Sequence, residues 1–374
     1  MNKRVILVGA GHAHLHILKQ ARTLTGLGAT VAIVAEDDFW YSGMATGMLG
    51  GSISPDADRV GIEALTSSAG ATLHRGSMVA LDRNVREVVL HNGQRLGFDL
   101  LSLNLGSLPP PLPGKVDAIT PVKPIRSLVE LRHRIEKGWL SSHSHHLRVA
   151  VVGGGVTAVE IAANLSALAQ LNRRSVSIVV YSRSEPLAGI PRGAASALLR
   201  HLGKSGVDVR WPATVASVAE EGVCLNDRSS EDFDFVINAT GLVPPRLAGE
   251  LGLAANADGA LVVDKFLRSK LDPEIFAVGD CAAFDGHALP RVGVYAVRQA
   301  PVLLANLCAS LSGSPLTAFV PQKRYLSIVG LGTSALMMRG SLWFKGPPAL
   351  WLKRRIDKRF VDSYDAASSS CIRN

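Results

Sequence analysis

Short apolar runs that end in glycine recur along the chain at matched positions. Residues 4–18 (RVILVGAGHAHLHIL) and 148–162 (RVAVVGGGVTAVEIA) each pass from an arginine through an apolar run and a G-x-G turn into helix-compatible residues. Residues 98–110 (FDLLSLNLGSLPP) and 233–245 (FDFVINATGLVPP) form a second matched pair, in which an acidic residue precedes an apolar run that ends at a glycine. Apolar runs of this length bounded by glycine are typical of buried parallel strands. The pattern predicts an α/β fold with two units of the same construction.

Each G-x-G turn is predicted to bind a dinucleotide. In such a Rossmann-like unit a parallel strand enters a tight glycine turn, and the N–H groups of the next helix point at the pyrophosphate. The third position of the G-x-G-x-x-G pattern normally holds a small residue, so that helix and strand pack closely. The turn glycines, third positions and closing-strand glycines are Gly9, Gly11, His14 and Gly106 in the first unit and Gly153, Gly155, Ala158 and Gly241 in the second.

Three histidines follow the first turn at alternate positions. His14, at the third pattern position, predicts that the first helix either sits further from the strand or lends a ring nitrogen to the cofactor. His12 and His16 would lie one helical turn apart, a spacing that suits a shared metal ion. No carboxylate or cysteine is near them in the sequence, and the glycine turn already accounts for the stretch. We therefore predict no metal site and place His12 and His14 beside the cofactor.

The ends of the second strands differ between the two units. An acidic residue is expected there, where it binds the ribose hydroxyls of the nucleotide. In residues 30–39 (TVAIVAEDDF) Glu36 holds this position, with Asp37 as the alternative. Residues 175–186 (SVSIVVYSRSEP) have no acid before Glu185, but Arg183 and two serines suit a 2′-phosphate. NADPH is thus at least as well supported as NADH for the second unit.

Composition narrows the class of protein. The chain has 374 residues, of which 47% are hydrophobic, but no window reaches the roughly 18 uninterrupted apolar residues of a membrane-spanning helix. The N-terminal apolar run is short and has no plausible cleavage site, so we expect no signal peptide and a cytoplasmic protein. Four widely separated cysteines form no C-x-x-C pair, which argues against a zinc ribbon and a dithiol reductase.

A formal net charge of +9 favours an anionic partner, and part of that charge lies near the C-terminus. Residues 340–364 are predicted to contain a helix after two prolines, with Leu352, Ile356, Phe360 and Tyr364 on one face and basic residues around it. Such a helix suits an anionic membrane surface. The alternative is a helix docked on its own protein with a solvated basic rim. Nucleic acid is not expected, since no motif that reads RNA or DNA accompanies the charge.

Residues 273–284 (PEIFAVGDCAAF) resemble the late G-D motif of flavoproteins that bind two dinucleotides. Together with the two turns, this motif makes the chain similar to the pyridine nucleotide-disulfide oxidoreductase superfamily. Within it the chain resembles type II NADH dehydrogenases, and more narrowly the relatives that occur alone or fused to selenophosphate synthetase. The segments that carry this likeness are VGAGHAHLHIL, FWYSGMATGMLGG (39–51), PVKPI (121–125), GVYAVRQAPVLLANL (293–307), PQKRYLSIVGLG (321–332) and the basic C-terminal segment.

The resemblance implies an FAD-binding domain interrupted by an NAD(P)H-binding domain. The first FAD part would cover residues 1–115, the NAD(P)H domain 116–245, the second FAD part 246–320, and a C-terminal region 321–374. Asp280 would contact the ribityl chain of FAD. The other residues expected around the cofactor are Gly279, Ser42, Gly43 and Met44, with Gly293 and Val294 at the start of a helix aimed at the flavin.

Three further residues receive predicted roles in the reaction. Lys123, between the domains, could place a cation near the flavin, although a solvated lysine is an equal alternative. Glu160 lies at the position of a superfamily acid that contacts the nicotinamide. Gln299 is the single residue that could replace the glutamine pair of type II NADH dehydrogenases near the quinone. The superfamily's C-x₄-C pair is missing after Tyr41, so no disulfide substrate is implied.

These features predict an FAD-dependent NAD(P)H oxidoreductase that passes electrons to a membrane quinone, attached peripherally to the inner face of the cell membrane. One alternative is a soluble reductase of a protein or small-molecule acceptor, with a selenium-linked role suggested by the fused relatives. Another is a regulatory protein in which FAD is structural. The sequence leaves open which molecule accepts the electrons, whether NADH or NADPH donates them, and whether the protein forms a homodimer.

Overall fold

The computed structural model describes residues 2–141 and 146–364. Helices and strands alternate along much of the chain, which is the arrangement of an α/β protein. The first group of elements is β1 (Lys3–Val8), α1 (His12–Lys19), α2 (Ala21–Thr25), β2 (Ala29–Ala35), β3 (Phe39–Trp40), α3 (Ser42–Leu49), β4 (Arg59–Val60), α4 (Ile62–Ala69), β5 (Thr72–Arg75), β6 (Met78–Asp82), β7 (Glu87–Leu90), β8 (Arg95–Gly97) and β9 (Leu100–Leu103).

Two further groups complete the chain. The second is β10 (Ile119–Pro121), α5 (Arg126–Ser141), β11 (His146–Val152), α6 (Val156–Leu171), β12 (Ser175–Tyr181), α7 (Arg192–Lys204), β13 (Val207–Arg210), β14 (Val215–Val218), β15 (Gly222–Leu225), β16 (Ser230–Asp232) and β17 (Phe235–Asn238). The third is α8 (Arg246–Glu250), β18 (Leu261–Val263), β19 (Ile275–Ala277), β20 (Ala282–Phe284), α9 (Gly293–Ser312), β21 (Ser327–Gly330), β22 (Ala335–Arg339), β23 (Leu342–Gly346) and α10 (Pro347–Asp362).

Two five-stranded parallel sheets form the framework. Their strand orders are β19-β9-β1-β2-β5 and β10-β17-β11-β12-β13. The apolar runs before the two G-x-G turns are the central strands β1 and β11, as predicted. Because β19 returns to the first sheet after the second sheet is complete, the second unit is inserted into the first. The predicted fold class is confirmed, whereas the domain limits at 115, 245 and 320 stay predictions.

The C-terminal unit, residues 327–364, packs against both of the other units, with α3, α6 and α7 among its neighbours. Its strands β21, β22 and β23 form an antiparallel sheet, and α10 follows directly. Val329 and Leu336 belong to the apolar core of the second unit, whereas Tyr364 belongs to that of the first. The C-terminal unit therefore bridges the two units.

Among the described residues, α9 alone is long and apolar enough to span a membrane by length and composition. It packs against α1 and against a short 3₁₀ helix of the first unit, residues 279–281. Asn306, fully buried on α9, donates to the backbone carbonyls of Phe266 and Thr317. These contacts are those of a core helix.

Candidate cofactor and nucleotide sites

The first cavity, of about 580 Å³, opens at the carboxyl ends of the strands in the first sheet. This is the edge at which parallel α/β sheets bind ligands. The residues predicted to bind FAD that line it are Gly9, Gly11, His12, Glu36, Ser42 and Gly106, together with Lys123. Sequence motifs separated by up to about a hundred residues thus meet in one cleft, because β1, β2 and β9 are neighbours.

The first glycine turn is shaped by backbone contacts. Gly9 has a φ of +91°, and a Cβ there would lie 2.5 Å from the carbonyl oxygen of Asn104. A Cβ on Gly11 would lie 2.2 Å from the Asn104 side-chain oxygen, which accepts a hydrogen bond from the Ala13 backbone N–H. The Asn104 amide also donates to the Val278 carbonyl oxygen. Asn104 therefore joins the glycine turn to the residue that follows β19, a role that sequence analysis missed.

Lys123, which lines the first cavity, forms an ion pair with Asp280, which is not among the lining residues. Lys123 Nζ lies 2.9 Å from Asp280 Oδ2, and their side chains are 24% and 10% exposed. The Ser107 hydroxyl donates to the same oxygen at 2.6 Å. Burial raises the pKa of Asp280, but the charge of Lys123 and these hydrogen bonds outweigh burial, so the pKa lies below its ordinary value. Asp280 is held ionised, and Ser107 is a site residue that no sequence motif revealed.

His12 lies between the glycine turn and the start of α9. Its ring packs edge-on against Phe39 at 4.8 Å between centroids and is tilted against Phe360 at 5.6 Å. Its Nε2 would be 3.1 Å from a Cβ built on Gly293, the first residue of α9. Burial and then the charge of Lys123 lower the pKa of His12 to about 4. A neutral imidazole thus lines the cavity beside the helix start predicted at Gly293 and Val294.

The surroundings of His14 do not suit the predicted contact with the cofactor. It is fully buried, its Nδ1 lies 2.7 Å from the Gly9 carbonyl oxygen, and its Nε2 lies 2.8 Å from the Ser102 hydroxyl. Since the carbonyl can only accept, Nδ1 carries the proton and the serine donates to Nε2. Both ring nitrogens have protein partners, so the histidine fastens the turn to β9. Among the described residues no three potential metal ligands lie together.

The second cavity, of about 660 Å³, repeats this arrangement in the second sheet. Gly153, Gly155 and Arg183 line it. A Cβ on Gly153, whose φ is +143°, would lie 2.2 Å from the Ala239 carbonyl oxygen. Ala158 is fully buried in α6, and Gly241 follows the closing strand with a φ of +122°. The sequence repeat is therefore also a structural repeat.

Glu160 and Gln299 are placed differently from the prediction. Glu160 is not among the residues that line the second cavity; its Oε1 accepts a hydrogen bond from the Gly330 backbone N–H at 2.7 Å. Burial raises the pKa of Glu160, partly opposed by Lys353. Gln299 is buried, and its Oε1 accepts a hydrogen bond from the Gly279 N–H at 2.7 Å. Gln299 thus braces the G-D turn and does not offer this oxygen to a quinone.

Helix α10 reaches the start of α3, beside the first cavity. Lys353 Nζ donates to the Gly43 carbonyl oxygen and lies 2.8 Å from Asp357 Oδ2. The Phe360 ring stacks on Tyr41, with centroids 4.3 Å apart. The segment that contains Ser42, Gly43 and Met44 is helical. No residue pattern pointed to Lys353 as a neighbour of this segment, because they are 310 positions apart.

The first cavity fits a bound dinucleotide. Gly11, the N-cap of α1, has no side chain to cover the helix N-terminus, where a pyrophosphate would bind; at this end the Asn104 side-chain oxygen accepts a hydrogen bond from the Ala13 N–H. Glu36 is exposed at the end of β2, where a ribose is bound in such folds. Gly9 and Gly11 also permit the close backbone approach that the turn requires.

Comparison with known proteins agrees with this geometry. Residues 3–300 match the family model described as pyridine nucleotide-disulphide oxidoreductase. The chain belongs to the pyridine nucleotide-disulphide oxidoreductase family. Members of this family bind FAD and use NAD(P)H.

Relatives within the oxidoreductase family differ in the acceptor that their names state. The chain is 26% identical to demethylphylloquinone reductase NdbB of Synechocystis sp., over 94% of this chain and 91% of the relative. It is 28% identical to putidaredoxin reductase CamA of Pseudomonas putida, over 71% and 65%. The sulfide:quinone oxidoreductase of Aquifex aeolicus has a TM-score of 0.79 over 98% of this chain and 92% of that chain; at 15% identity, this likeness concerns the fold. The relatives are thus NAD(P)H-dependent flavoprotein oxidoreductases whose electron acceptors differ.

Proposed function

We propose that this protein is an NAD(P)H:quinone oxidoreductase that works at an anionic membrane surface. The observation that carries the proposal is an exposed aromatic and basic surface on the C-terminal unit. The inner side of this unit contacts Gly43 through Lys353, next to Ser42 in the wall of the first cavity. A protein bound to the membrane through this surface would have access to a quinone dissolved in the bilayer. The name of the relative NdbB, a quinone reductase, is consistent with this acceptor.

The membrane-facing surface differs from the predicted helical face. Tyr364 is buried and Phe360 stacks on Tyr41, so this end of the predicted apolar face is docked on the protein. The large apolar side chains that remain exposed are Leu342, Trp343 and Phe344 on β23 and Trp351 and Ile356 on α10. Exposed aromatic residues beside cations are typical of proteins that bind the interface of anionic bilayers.

The cations of α10 divide into two groups. Lys353 is turned inward and paired with Asp357. Arg354, Arg355, Lys358 and Arg359 are exposed, and the Arg355 guanidinium lies 5.8 Å from the Trp351 ring centroid. The exposed group supplies the charge that an anionic headgroup would meet. One side of the helix is docked on the protein and the basic side is solvated, as the alternative in the sequence analysis expects, and membrane binding stays a prediction.

The residues of the two cavities would bind and orient the reactants. Bound FAD supplies the redox chemistry, since a flavin accepts two electrons from a nicotinamide and passes them to an acceptor. We assign the first cavity to FAD, with Glu36 at a ribose, Asp280 near the ribityl chain and the start of α9 near the flavin. We assign the second cavity to NAD(P)H. The overall reaction, NAD(P)H + H⁺ + quinone → NAD(P)⁺ + quinol, takes up one proton from water.

Anaerobic titration tests the core of the proposal. FAD-loaded protein should bleach on addition of NADPH or NADH, and a short-chain quinone should restore the yellow colour. Absence of bleaching with both nucleotides would refute the oxidoreductase assignment and favour a regulatory protein with structural FAD. Bleaching without reoxidation by quinone would refute the proposed acceptor.

Co-sedimentation with liposomes tests the surface. The Trp343→Ser/Trp351→Ser double variant should lose most of its pelleting with anionic liposomes while retaining FAD. Trp211→Ser is the matched control, because Trp211 is 47% exposed on the second unit. Equal pelleting of the two variants would refute membrane binding through this surface.

A soluble reductase of a protein acceptor is the second candidate. It is favoured by the likeness to putidaredoxin reductase, named for a protein substrate. This candidate predicts that the double variant keeps full activity with a ferredoxin-type acceptor and that wild-type protein does not pellet.

A further inference from the structure

The ladder registers of the two sheets show which residues are equivalent. In the first unit β1 pairs with β2 so that Val8 lies opposite Val34, and the Gly9 N–H donates to the Val34 carbonyl oxygen at 2.9 Å. In the second unit Val152 lies opposite Tyr181, and the Gly153 N–H donates to the Tyr181 carbonyl oxygen at 2.8 Å. Val34 and Tyr181 are therefore equivalent.

Counting two residues onward pairs Glu36 with Arg183. Both side chains are exposed, and each lines the cavity of its own unit. The position that holds a ribose-binding carboxylate in the first unit thus holds a guanidinium in the second. The sequence comparison placed Glu36 and Arg183 near matching strand ends, and the ladder registers show that the two positions are equivalent.

The surroundings of Arg183 add no carboxylate at the ribose position. Glu185, the one acid lining the described part of the second cavity, lies two residues further along. Glu231 accepts from the Tyr181 hydroxyl at 2.9 Å and from Arg210 at 2.5 Å, so it is already engaged. The Ser182 hydroxyl donates to the Ser184 carbonyl oxygen at 2.7 Å, which shapes the loop around Arg183.

We infer that the second cavity selects NADPH over NADH, and that Arg183 recognises the 2′-phosphate. This inference rests on the proposed function and names its electron donor. A carboxylate at this position would accept hydrogen bonds from ribose hydroxyls and repel a 2′-phosphate. A guanidinium lacks acceptors but can donate two parallel hydrogen bonds to a phosphate. The Ser184 hydroxyl, exposed beside it on the cavity wall, is a second donor.

Equilibrium binding to FAD-loaded protein tests the inference without depending on turnover. The probes are adenosine 2′,5′-bisphosphate and 5′-AMP, which differ by the 2′-phosphate alone. Wild-type protein should bind the bisphosphate about tenfold or more tightly, since charge-assisted hydrogen bonds have roughly that effect. Arg183→Ala should remove most of this preference, and Arg183→Glu should reverse it. Arg200→Ala, at an exposed arginine on α7 of the same unit that does not line the cavity, should behave as wild type.

Reduction of the flavin by the two dinucleotides completes the test. NADPH should have the higher kcat/KM in wild-type protein, and Arg183→Ala should lower that value about tenfold while changing the NADH value less than about twofold. Preference of wild-type protein for NADH and 5′-AMP, an equal response of both nucleotides to Arg183→Ala, or no binding of either probe would overturn the inference. Failure of both dinucleotides to reduce the flavin would instead overturn the proposed function, and the probe preference would still be measurable.

Discussion

Substitution of Lys123 by methionine tests whether the ion pair between Lys123 and Asp280, beside the first cavity, holds the site together. Methionine keeps most of the side-chain volume but removes the cation that lies 2.9 Å from Asp280 Oδ2. Asp280 would then be a carboxylate that is 10% exposed, with Ser107 as its remaining side-chain donor. The pKa of Asp280, which Lys123 now holds below its ordinary value against burial, should rise.

The size of the effect follows from this environment. Removing one partner of a buried ion pair costs about 3 to 5 kcal/mol in general. Here the Lys123 side chain is 24% exposed and the serine hydrogen bond remains, so we expect about 2 kcal/mol. Asp280→Asn alone should also destabilise, but the double variant should recover part of the loss, because no charge is then left uncompensated. The coupling free energy should be about 1.5 kcal/mol.

Urea unfolding of FAD-loaded protein, followed by flavin fluorescence, gives the four stabilities of this double-mutant cycle. The Lys115–Glu220 pair is the control, since its atoms are also close, at 2.5 Å, but both side chains are largely exposed. Its cycle should show no measurable coupling. A Lys123–Asp280 coupling as small as that of the control would refute the view that this ion pair is structural.

Three other changes test separate parts of the site. Burial lowers the pKa of His14 from 6.5 to about 4, so the unfolded chain binds more protons than the folded chain between these pH values. The free energy of unfolding of the wild-type protein should therefore fall by about 3 kcal/mol from this group as the pH drops from 6.5 to 4. Urea unfolding of His14→Gln should show a shallower fall over this range, and an equally steep fall would contradict the reasoning. Gly153→Ala should abolish flavin bleaching by NAD(P)H while FAD stays bound, because the new Cβ would lie 2.2 Å from a carbonyl oxygen. The flavin of the control variant Gly203→Ala, whose Cβ would have no neighbouring atom within 4 Å, should bleach normally. Gln299→Leu should weaken FAD binding by about 1 to 3 kcal/mol, because the Gly279 N–H loses its acceptor; an unchanged FAD dissociation constant with a raised quinone KM would restore the original quinone role.

The arrangement of strands and turns was largely predictable from the sequence. Short apolar runs bounded by glycine indicate buried parallel strands, and the repeated pattern located β1, β11 and both glycine turns. These signals are local, since the periodicity of side chains and the positive φ of Gly9 and Gly153 act within a few residues. The likeness of residues 273–284 to a known motif added Asp280.

The partners of individual polar side chains were decided by the tertiary structure. His14 meets Ser102 across 88 positions, Glu160 meets Gly330 across 170, and Lys353 meets Gly43 across 310. Such pairs depend on strand register and on how the C-terminal unit packs against the other two units, and neither leaves a periodic trace in the sequence. The sequence placed Arg183 near the end of its strand, but its equivalence with Glu36 comes from the hydrogen-bond ladders that align the two strand ends. The sequence thus determined which elements form, while packing at long range determined which side chains meet in the site.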